Sequence, residues 1–327
     1  MDEPILFVDG GTTNTRFTLM FGGTVLERSQ RRVGAANSSN GKYNDALGAA
    51  VISEVHQMEQ THGIAIRRVC ACGMITSASG LTEVPHICAP AGIKALAQAV
   101  KCIRLPEISP DLEFAFIPGV KGANNSMLTS DMMRGEETEI MGILTEKCEQ
   151  KRLLAIHFGS HNKIIDINKG EIHRSVTTLS GELLHIITQD TILKSSVCDL
   201  NGIDMDEAFV HMGYETAEKE GMSRALFVAR LYQVLEHASP LQVSSFLLGI
   251  LTQQDSVAFS RFFYEAEDEI ILYGRDTFSD AFLLCMRQRL KDRFIRKIPF
   301  ADSQWLSVRG MQQIIAESEV FSHTSID

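Results

Sequence analysis

The chain has 327 residues, of which 44% are hydrophobic and 22% are charged, and this ordinary globular composition excludes a disordered, fibrous or collagen-like protein. Its formal net charge of −10 disfavours a nucleic-acid backbone or an anionic membrane as a partner, because both repel an acidic surface. The length favours two domains, each with its own core.

The N-terminal segment and the cysteines predict where the protein works. Acidic residues stand where a signal peptide needs basic ones, the first apolar run ends at Asp9, and no window approaches the ~18 apolar residues of a membrane helix. We therefore expect a cytoplasmic protein without a membrane segment. The seven cysteines have neither a CxxC pair nor zinc-ligand spacing, which indicates reduced core thiols.

The first predicted element is a strand that leads into a glycine turn and a hairpin. Residues 5–8 are a short apolar run, as expected of a strand buried on both faces, and the turn DGGTTN follows at 9–14. Residues 16–21 and 24–26 then have β-forming sequences on either side of a Gly-Gly pair. A dinucleotide-binding or Walker-type unit opens a helix after its glycines, so this hairpin excludes both.

A second strand, turn and hairpin occur at residues 153–175. Gly10 and Gly22 are 12 positions apart, and Gly159 and Gly170 are 11 apart, so both halves of the chain start in the same way. We predict a duplicated chain, with a chance likeness of two hairpins as the alternative.

The rest of the chain alternates helices and strands, which is typical of an α/β protein. The periodicity predicts helices over 43–60, 91–102, from 136 towards 147, 181–193, 223–237, 244–263, 280–290 and 311–318, and strands over 68–72, 114–117 and 270–273. The acidic segment at 199–221, between the helices over 181–193 and 223–237, is predicted to be rich in loops. No low-complexity linker is visible, so we predict two closely apposed lobes, residues 1–150 and 151–327, with the last helix packing back on the first.

The two glycine turns are candidate phosphate sites. In the first, two glycines let the backbone approach a ligand, two threonines add hydroxyl donors, and an aspartate at the strand end is suited to a Mg²⁺ water. These residues are Asp9, Gly10, Gly11, Thr12 and Thr13. The second turn, at 159–162, offers another amide-rich concavity, and Arg16 and Lys163 follow the two turns as candidate counter-charges. The alternatives are an ordinary Asp-Gly turn and solvated charges at a strand edge.

The densest polar cluster, SDMMRGEETE at 130–139, is a candidate catalytic segment. It holds Asp131, Arg134, Glu136 and Glu137, and phosphoryl transfer needs one carboxylate aimed at the acceptor hydroxyl. A helix dipole keeps acidic residues ionised in the first turn, which is also the alternative explanation for them. Ser180 is predicted to cap the next helix, and the small-residue loop at 72–85 allows close approach of a ligand.

Together these segments resemble the 2-dehydro-3-deoxygalactonokinase family of the sugar kinase, heat-shock chaperone and actin superfamily. The resemblance covers most of the chain, and its most specific segment is MRGEET. Its carriers are VDGGTTNTR at 8–16, GMITSASGL at 73–81, MRGEET at 133–138, GSHNK at 159–163, SGELLH at 180–185 and VSSFLLGIL at 243–251.

The resemblance implies two ribonuclease-H-like domains with a cleft between them, and an ATP- and Mg²⁺-dependent kinase acting on the 6-hydroxyl of 2-dehydro-3-deoxy-D-galactonate in galactonate catabolism. The first lobe would bind the sugar acid and the second adenosine. Glu136 would be the base with Asp131 as its rival, and Arg134 would bind the substrate carboxylate. The nucleotide and metal residues implied are Asp9 (also for the metal), Gly10, Gly11, Thr12, Thr13, Arg16, Gly159, Ser160, His161, Asn162 and Gly274. The substrate residues implied are Gly73, Met74, Thr76, Ser77, Arg134 and Glu137.

Three other readings remain open at this point. A kinase of another sugar or sugar acid would use the same fold. A nucleotide-dependent switch of the actin or chaperone kind would leave MRGEET without a purpose, and a degenerate kinase would bind ligand without turnover. A homodimer is the default expectation for such an enzyme.

Overall fold

The computed structural model describes residues 3–38, 44–122, 126–144, 151–200, 202–264, 267–318 and 320–321. The chain divides into two compact units, and neither is continuous in sequence. Unit 1 comprises Met1–Gln150, Asn168–Arg174 and Gln304–Asp327, and unit 2 comprises Lys151–Ile167 and Ser175–Ser303.

A six-stranded sheet is the centre of unit 1. Its strands are β1 (Ile5–Gly10), β2 (Thr15–Phe21), β3 (Thr24–Arg31), β4 (Arg68–Gly73), β6 (Lys101–Leu105) and β7 (Ser109–Phe116), in the order β3-β2-β1-β4-β7-β6. The hairpin strands β2 and β3 are antiparallel, whereas β4 and β7 run parallel to β1. The carboxyl ends of β1 and β4 therefore lie side by side, with Gly10 opposite Gly73.

The described residues of unit 1 also form four α-helices and a small sheet. The helices are α1 (Asp45–His62), α2 (Ile93–Ala99), α3 (Glu136–Ile143) and α10 (Leu306–Glu317), and the sheet consists of β5 (Ile87–Cys88), β8 (Val120–Lys121) and β9 (Met132–Met133). The apolar side of α1 packs on the large sheet, where Leu47 and Val51 are fully buried. Two short 3-10 helices, Ala35–Asn37 and Met74–Thr76, lie in the loops after β3 and β4.

The second sheet repeats the strand order of the first. It contains β10 (Arg152–Phe158), β11 (Asn162–Asn168), β12 (Glu171–Thr178), β13 (Glu269–Gly274) and β14 (Ile295–Lys297), in the order β12-β11-β10-β13-β14. Here too the strand after the hairpin runs parallel to the first strand, and Phe158 lies opposite Gly274. The shared order is what a duplicated chain predicts.

The described helices of unit 2 are α4 (Ser180–Asp190), α5 (Glu207–Glu220), α6 (Met222–Leu235), α7 (Pro240–Phe259), α8 (Asp276–Met286) and α9 (Phe300–Ser303). Four of them, α4, α5, α6 and α8, contact α7. Ser239 and Gln242 form a capping box at the start of α7, with Pro240 in its first turn. Most residues of α7 are buried, as expected of a helix that other elements cover on most sides.

The predicted loop-rich segment at 199–221 is wrong for most of its length, because it contains α5. Asp206 caps this helix by accepting a hydrogen bond from Phe209 N at 3.2 Å. Val210, Gly213 and Ala217 are its buried residues, and their helical spacing supplies the packing face that the many acidic residues obscured. A Cβ on Gly213 would lie 2.0 Å from Phe246 O, so α5 and α7 are in backbone contact.

The helix predicted over 91–102 is also too long. The structure ends α2 at Ala99 and starts β6 at Lys101, which pairs antiparallel with β7. A segment as short as KCIRL suits a strand as well as a helix, and pairing with the neighbouring strand decides between them. The first residue of the helix predicted over 43–60 and the end of the helix predicted from 136 towards 147 lie outside the described residues.

The described cysteines contain no disulfide. Cys70 and Cys72 are buried, as expected of core thiols, whereas Cys88 and Cys102 are exposed. In the part of the chain that the structure describes, no helix has both the length and the apolar character needed to cross a membrane.

Candidate active site

Backbone hydrogen bonds give the first glycine turn a fixed orientation. Gly11 N donates to Asn14 O at 2.9 Å, which closes the turn, and Ala35 N and Ala36 N donate to Gly11 O and Thr12 O at 3.2 and 2.9 Å. In a trans peptide the C=O and N–H groups point in opposite directions. The N–H groups of Thr12 and Thr13 therefore point away from the 35–36 segment, on the side where an anion can bind.

Asp9 lies at the end of β1 and has two donors. Its Oδ2 accepts hydrogen bonds from Arg16 at 3.2 Å and from the Ser307 hydroxyl at 3.1 Å. The side chain is 16% exposed. Arg16 was expected to be a counter-charge for a bound phosphate. In this structure its guanidinium binds the carboxylate of Asp9.

Gly73 leaves space beside Asp9 that a side chain would fill, and Gly135 lies next to Gly73. A Cβ on Gly73 would lie 2.5 Å from Gly10 O and 3.5 Å from Asp9 Oδ1, and a Cβ on Gly135 would lie 3.4 Å from Gly73 Cα. Gly73 and Gly135 also have positive φ, +81° and +115°, which favours glycine. The ends of β1 and β4 and the start of α3 therefore meet at one place in unit 1.

The start of α3 brings an acidic cluster to this place. Glu136 is partly exposed, and its Oε2 accepts a hydrogen bond from Arg134 N at 3.1 Å. Burial raises the pKa of Glu139 well above its usual range, and the charges of Asp9 and Glu136 add to the rise. This coupling indicates that the carboxylates of β1 and α3 are close to one another.

Glu137 has a different position from the substrate contact expected of it. Its side chain is fully buried, and Gly135 N donates to its two oxygens at 2.9 and 2.8 Å. The Thr138 hydroxyl donates to the same carboxylate at 3.1 Å. Burial raises the pKa of Glu137 to about 7, the charge of Glu136 adds to the rise, and the hydrogen bonds oppose it. Glu137 holds Gly135 in place and presents no oxygen at the surface.

The guanidinium of Arg134, predicted to bind the substrate carboxylate, is directed to protein acceptors in this structure. Its NH1 donates to Thr76 O at 2.7 Å and Thr76 Oγ1 at 2.5 Å. Its NH2 contacts Val84 O at 2.9 Å and His86 Nδ1 at 3.1 Å. These contacts match the four N–H bonds of the terminal nitrogens, so Arg134 fastens the 74–86 loop to the segment before α3.

The other residues predicted for the substrate lie along the same loop. Met74 and Ser77 are partly exposed, whereas Thr76 is fully buried and donates its hydroxyl to Gly73 O at 2.9 Å. Burial and the Arg134 charge lower the pKa of His86 to about 4, so His86 is neutral at pH 7. Asp131 precedes β9, and its carbonyl accepts from Gly122 N at 2.9 Å, which places it on the small sheet rather than on α3.

The second turn, in unit 2, is held in the same manner by α4. Ser160 O accepts a hydrogen bond from Glu182 N at 2.8 Å, and a Cβ on Gly181 would lie 1.9 Å from Gly159 O. Both carbonyls therefore face α4, and the N–H groups of Ser160 and His161 point away from it. The side chain of Ser160 is exposed, and His161 contacts Glu182 at 3.0 Å.

A buried carboxylate, Asp255 of α7, lies beneath this turn and was missed by the sequence analysis. It accepts hydrogen bonds from Asn162 Nδ2 at 2.7 Å, from the Thr178 hydroxyl at 2.6 Å and from the Ser180 hydroxyl at 2.5 Å. The prediction that Ser180 caps α4 is wrong, because Leu179 occupies the N-cap position. A charged residue inside an apolar helix was the signal available in the sequence.

Two further predicted residues have clear places in unit 2. Gly274 ends β13 with φ +96°, and a Cβ there would lie 2.2 Å from Phe158 O. Lys163 is buried and donates to the Thr177 hydroxyl, so its described contact is internal to the sheet rather than beside the turn as a counter-charge. Gly274 thus lies beside the end of β10, next to the second turn, as Gly73 lies beside the first.

Comparison with known proteins adds a family and a fold. A family model described as 2-keto-3-deoxy-galactonokinase matches residues 9–298. A candidate 2-dehydro-3-deoxygalactonokinase from Sinorhizobium meliloti superposes with a TM-score of 0.73 at 21% identity, covering 95% of this chain and 97% of that chain. The ADPNP-bound activator of the 2-hydroxyisocaproyl-CoA dehydratase from Clostridium difficile superposes with a TM-score of 0.50 at 9% identity, covering 96% of this chain and 95% of that chain.

At these identities the solved structures establish the fold alone. They confirm the predicted fold class, an α/β protein of the actin-like ATPase and sugar kinase type. A comparison with curated protein sequences found no match.

Proposed function

The chain belongs to the 2-keto-3-deoxy-galactonokinase family, a family of sugar-acid kinases with ATP as the phosphoryl donor, and we propose that it phosphorylates the 6-hydroxyl of 2-dehydro-3-deoxy-D-galactonate. The observation that carries this proposal is the meeting of Asp9, the glycines at 10, 73 and 135, and Glu136 at one place in unit 1. Phosphoryl transfer requires an anion site, a metal carboxylate and a base, and these residues supply all three.

We assign the phosphates of ATP to the two glycine turns. Gly10, Gly11, Thr12 and Thr13 supply amides and hydroxyls in unit 1, and the turn of Gly159, Ser160, His161 and Asn162 supplies amides in unit 2. The support is the direction of the peptide groups, since the carbonyls of both turns are held by neighbouring backbone and the amides point the other way. Gly274 is assigned to the adenosine contact because it lies beside the second turn.

Glu136 is the proposed base. It would take the proton from the 6-hydroxyl as that oxygen bonds to the γ-phosphorus, while the bond to the β-phosphate oxygen breaks and ADP leaves. The hydrogen bond from Arg134 N orients the Glu136 carboxylate at the start of α3. Its partial exposure leaves the carboxylate accessible to a substrate. Asp131 remains the rival assignment, and its position on the small sheet makes it the weaker one.

Asp9 is the proposed ligand of Mg²⁺. This ion is usually held by one or two carboxylates, water and substrate phosphates, so a single aspartate suffices. The residues fit this role, because Oδ2 carries the two protein donors while Gly73 leaves space beside Oδ1. Bound there, the ion would neutralise charge on the transferring phosphoryl group. The described residues contain no cluster of three or more His, Cys, Asp or Glu suited to a metal.

Arg134 and Glu137 are proposed as residues that shape the sugar-acid site without touching the transferred group. Arg134 holds the 74–86 loop through Thr76 and Val84, and Glu137 holds Gly135. The partly exposed Met74 and Ser77 on that loop are then the proposed substrate contacts, together with the backbone of Gly73.

A coupled ADP-release assay with Mg-ATP tests the proposal. The panel contains 2-dehydro-3-deoxygalactonate, its gluconate epimer, galactonate, glucose and N-acetylglucosamine. We expect turnover with 2-dehydro-3-deoxygalactonate and little with the others. Preference for another acceptor would change the substrate and keep the kinase, whereas ADP release independent of any acceptor would replace the proposal with a nucleotide-dependent switch.

A further inference from the structure

Asp255 is unusual in being a carboxylate in the interior of unit 2. It is 1% exposed and lies on α7, most of whose residues are buried. Its three hydrogen-bond donors come from three different elements: Asn162 at the start of β11, Thr178 at the end of β12 and Ser180 at the start of α4.

The carboxylate fixes the orientation of the Asn162 amide. An ionised carboxylate only accepts hydrogen bonds, so the NH2 end of Asn162 must face it. The amide oxygen then faces the turn, where it accepts a hydrogen bond from Gly159 N at 3.1 Å. The chain of contacts therefore runs from Asp255 through Asn162 into the backbone of the second glycine turn.

A second route reaches the same turn through α4. The Ser180 hydroxyl donates to Asp255, and the next two residues of α4 contact the turn. Gly181 leaves room for Gly159 O, and Glu182 N donates to Ser160 O at 2.8 Å. The position of α4 sets the direction of both turn carbonyls, and hence of the two amides on the opposite side.

Burying the Asp255 carboxylate costs free energy of desolvation, so packing alone does not explain why a charged group occupies this position. Burial raises the pKa of Asp255, and the three hydrogen bonds oppose that rise. All three donors are neutral groups, and a well-packed apolar residue would avoid the cost of desolvation. What the carboxylate adds is a fixed direction for the groups that donate to it.

We infer that Asp255 is a positioning residue for nucleotide binding: it orients Asn162 and holds the start of α4, and so fixes the amides of Ser160 and His161 towards the phosphates of ATP. This inference rests on the proposed role of the second turn. It assigns no contact between Asp255 and the nucleotide.

Exchange of the two polar groups tests the inference. Asp255→Asn removes the acceptor that orients Asn162, and Asn162→Asp places two carboxylates against each other. We expect each single variant to raise the KM for ATP about tenfold or more, the effect of about one lost buried hydrogen bond, with the KM for the sugar acid within about twofold. The double variant restores an amide facing a carboxylate with the roles reversed, and we expect its KM for ATP within about threefold of the wild type.

Two further variants separate positioning from stability. Asp166→Asn breaks another buried carboxylate contact on β11, where Asp166 binds Arg152 at 3.0 and 3.1 Å, and we expect a lower Tm with an unchanged KM for ATP. Ser180→Ala removes the hydrogen bond from α4 to Asp255, together with a 3.3 Å contact to the Thr178 hydroxyl, and serves if Asp255→Asn does not fold. We expect it to raise the KM for ATP about threefold.

Calorimetry with Mg-ADP keeps this test separate from the proposed function. A wild type that binds Mg-ADP but phosphorylates no sugar acid defeats the proposed activity, and the variants are then compared by their Kd. The inference is overturned if Asp255→Asn and Ser180→Ala lower the Tm while the KM and Kd stay at the wild-type values. It is also overturned if the exchanged pair is no better than the single variants, or if the wild type binds no Mg-ADP.

Discussion

Two neighbouring carboxylates at the start of α3 have opposite environments. Glu136 is partly exposed and held by one backbone N–H, whereas Glu137 is fully buried and receives the N–H of Gly135 and the hydroxyl of Thr138. Successive residues of a helix point in different directions, about 100° apart, so adjacent glutamates can have unrelated roles. This contrast is the basis for assigning chemistry to the first and architecture to the second.

Glu136→Gln should lower kcat by about 100-fold or more, the usual contribution of one general base. Glutamine keeps the size and the hydrogen bond from Arg134 N, so we expect the Tm and the KM for ATP to stay near the wild-type values. Initial-rate kinetics with saturating sugar acid measures the effect.

Two further variants serve as a matched control and as a test of the rival base. Glu207→Gln makes the same change in the first turn of α5, at an exposed position, and should leave kcat unaltered. Asp131→Asn should retain most of the activity. If Asp131→Asn loses turnover and Glu136→Gln keeps it, the base is Asp131.

Glu137 makes the stability of the protein depend on pH. Its pKa is about 7 in the folded chain against an ordinary value of 4.5, so between these pH values the folded state holds a proton that the unfolded state has lost. Its contribution to stability therefore falls as pH rises from about 4.5 to about 7 and is constant above. Between pH 5 and pH 8 the free energy of unfolding should fall by about 2 kcal/mol more in the wild type than in Glu137→Gln. Urea denaturation at the two pH values measures this, and equal falls would contradict it.

The site residues that could be predicted from the sequence are those that form local patterns. The glycine turns and the acidic segment are short motifs whose chemistry is legible in a window of about ten residues. Asp255 reaches Asn162 across 93 positions, and Asn44 reaches Ser79 across 35, so no window contains both partners. Arg134 is a related case, because only the fold shows that Val84 and His86 occupy its N–H groups.

At the scale of elements, the start of α1 connects the loops around the first glycine turn. Asn44 caps the helix by accepting from Leu47 N at 3.1 Å. Its Nδ2 donates to Gly34 O at 3.0 Å and to Ser79 O at 3.2 Å. Ala35 N and Ala36 N, next to Gly34, donate to the carbonyls of the first glycine turn. The cap of α1 and the first glycine turn are therefore connected by hydrogen bonds.

Asn44→Ala should therefore affect both stability and nucleotide binding. We expect the free energy of unfolding to fall by about 2 kcal/mol, from the lost cap and the lost buried hydrogen bonds, and the KM for ATP to rise several-fold. Asp206→Ala removes the cap of α5 in the same way and should cost about 1 kcal/mol without changing that KM. If Asn44→Ala leaves the KM for ATP unaltered, Asn44 only caps α1 and has no effect on the first glycine turn.

The elements themselves were predictable where their pattern was long or strongly apolar. Both hairpins, α7 and α8 lie close to their predicted places, because burial enforces the pattern in each. α5 was missed since only Val210, Gly213 and Ala217 are buried in its 14 residues. Its many acidic residues are typical of a loop, and only the contact between Gly213 and α7 shows that the segment packs as a helix.

Over the whole molecule, the order of the units differs from the order of the chain. The last helix, α10, belongs to unit 1, and its closest neighbour is α3. A Cβ on Gly310 would lie 1.8 Å from Thr138 O, and one on Gly142 would lie 2.1 Å from Leu306 O. The backbones of the two helices are therefore in contact, and no side chain separates them.

A chain that ends after Ser303 should lose much of the stability of unit 1. It would lack Met311, Ile314 and Ile315, all nearly or fully buried, whose burial contributes about 6 kcal/mol at about 2 kcal/mol each. We expect a lower Tm and rapid proteolysis within the first 144 residues. A chain that ends after Ser318 retains α10 and should behave like the full chain, and equal proteolysis of the two would refute the expectation.

The hydrogen bond between Ser307 and Asp9 has a consequence for synthesis of the protein. The two residues are 298 positions apart, and a ribosome adding about 5 to 20 residues per second needs roughly 15 to 60 seconds to make the intervening chain. During that time the first strand has emerged while Asp9 still lacks its hydroxyl partner. A nascent chain therefore cannot assemble this aspartate in its final surroundings until Ser307 has been made and has left the ribosome, so the first strand waits for a residue from a distant part of the chain.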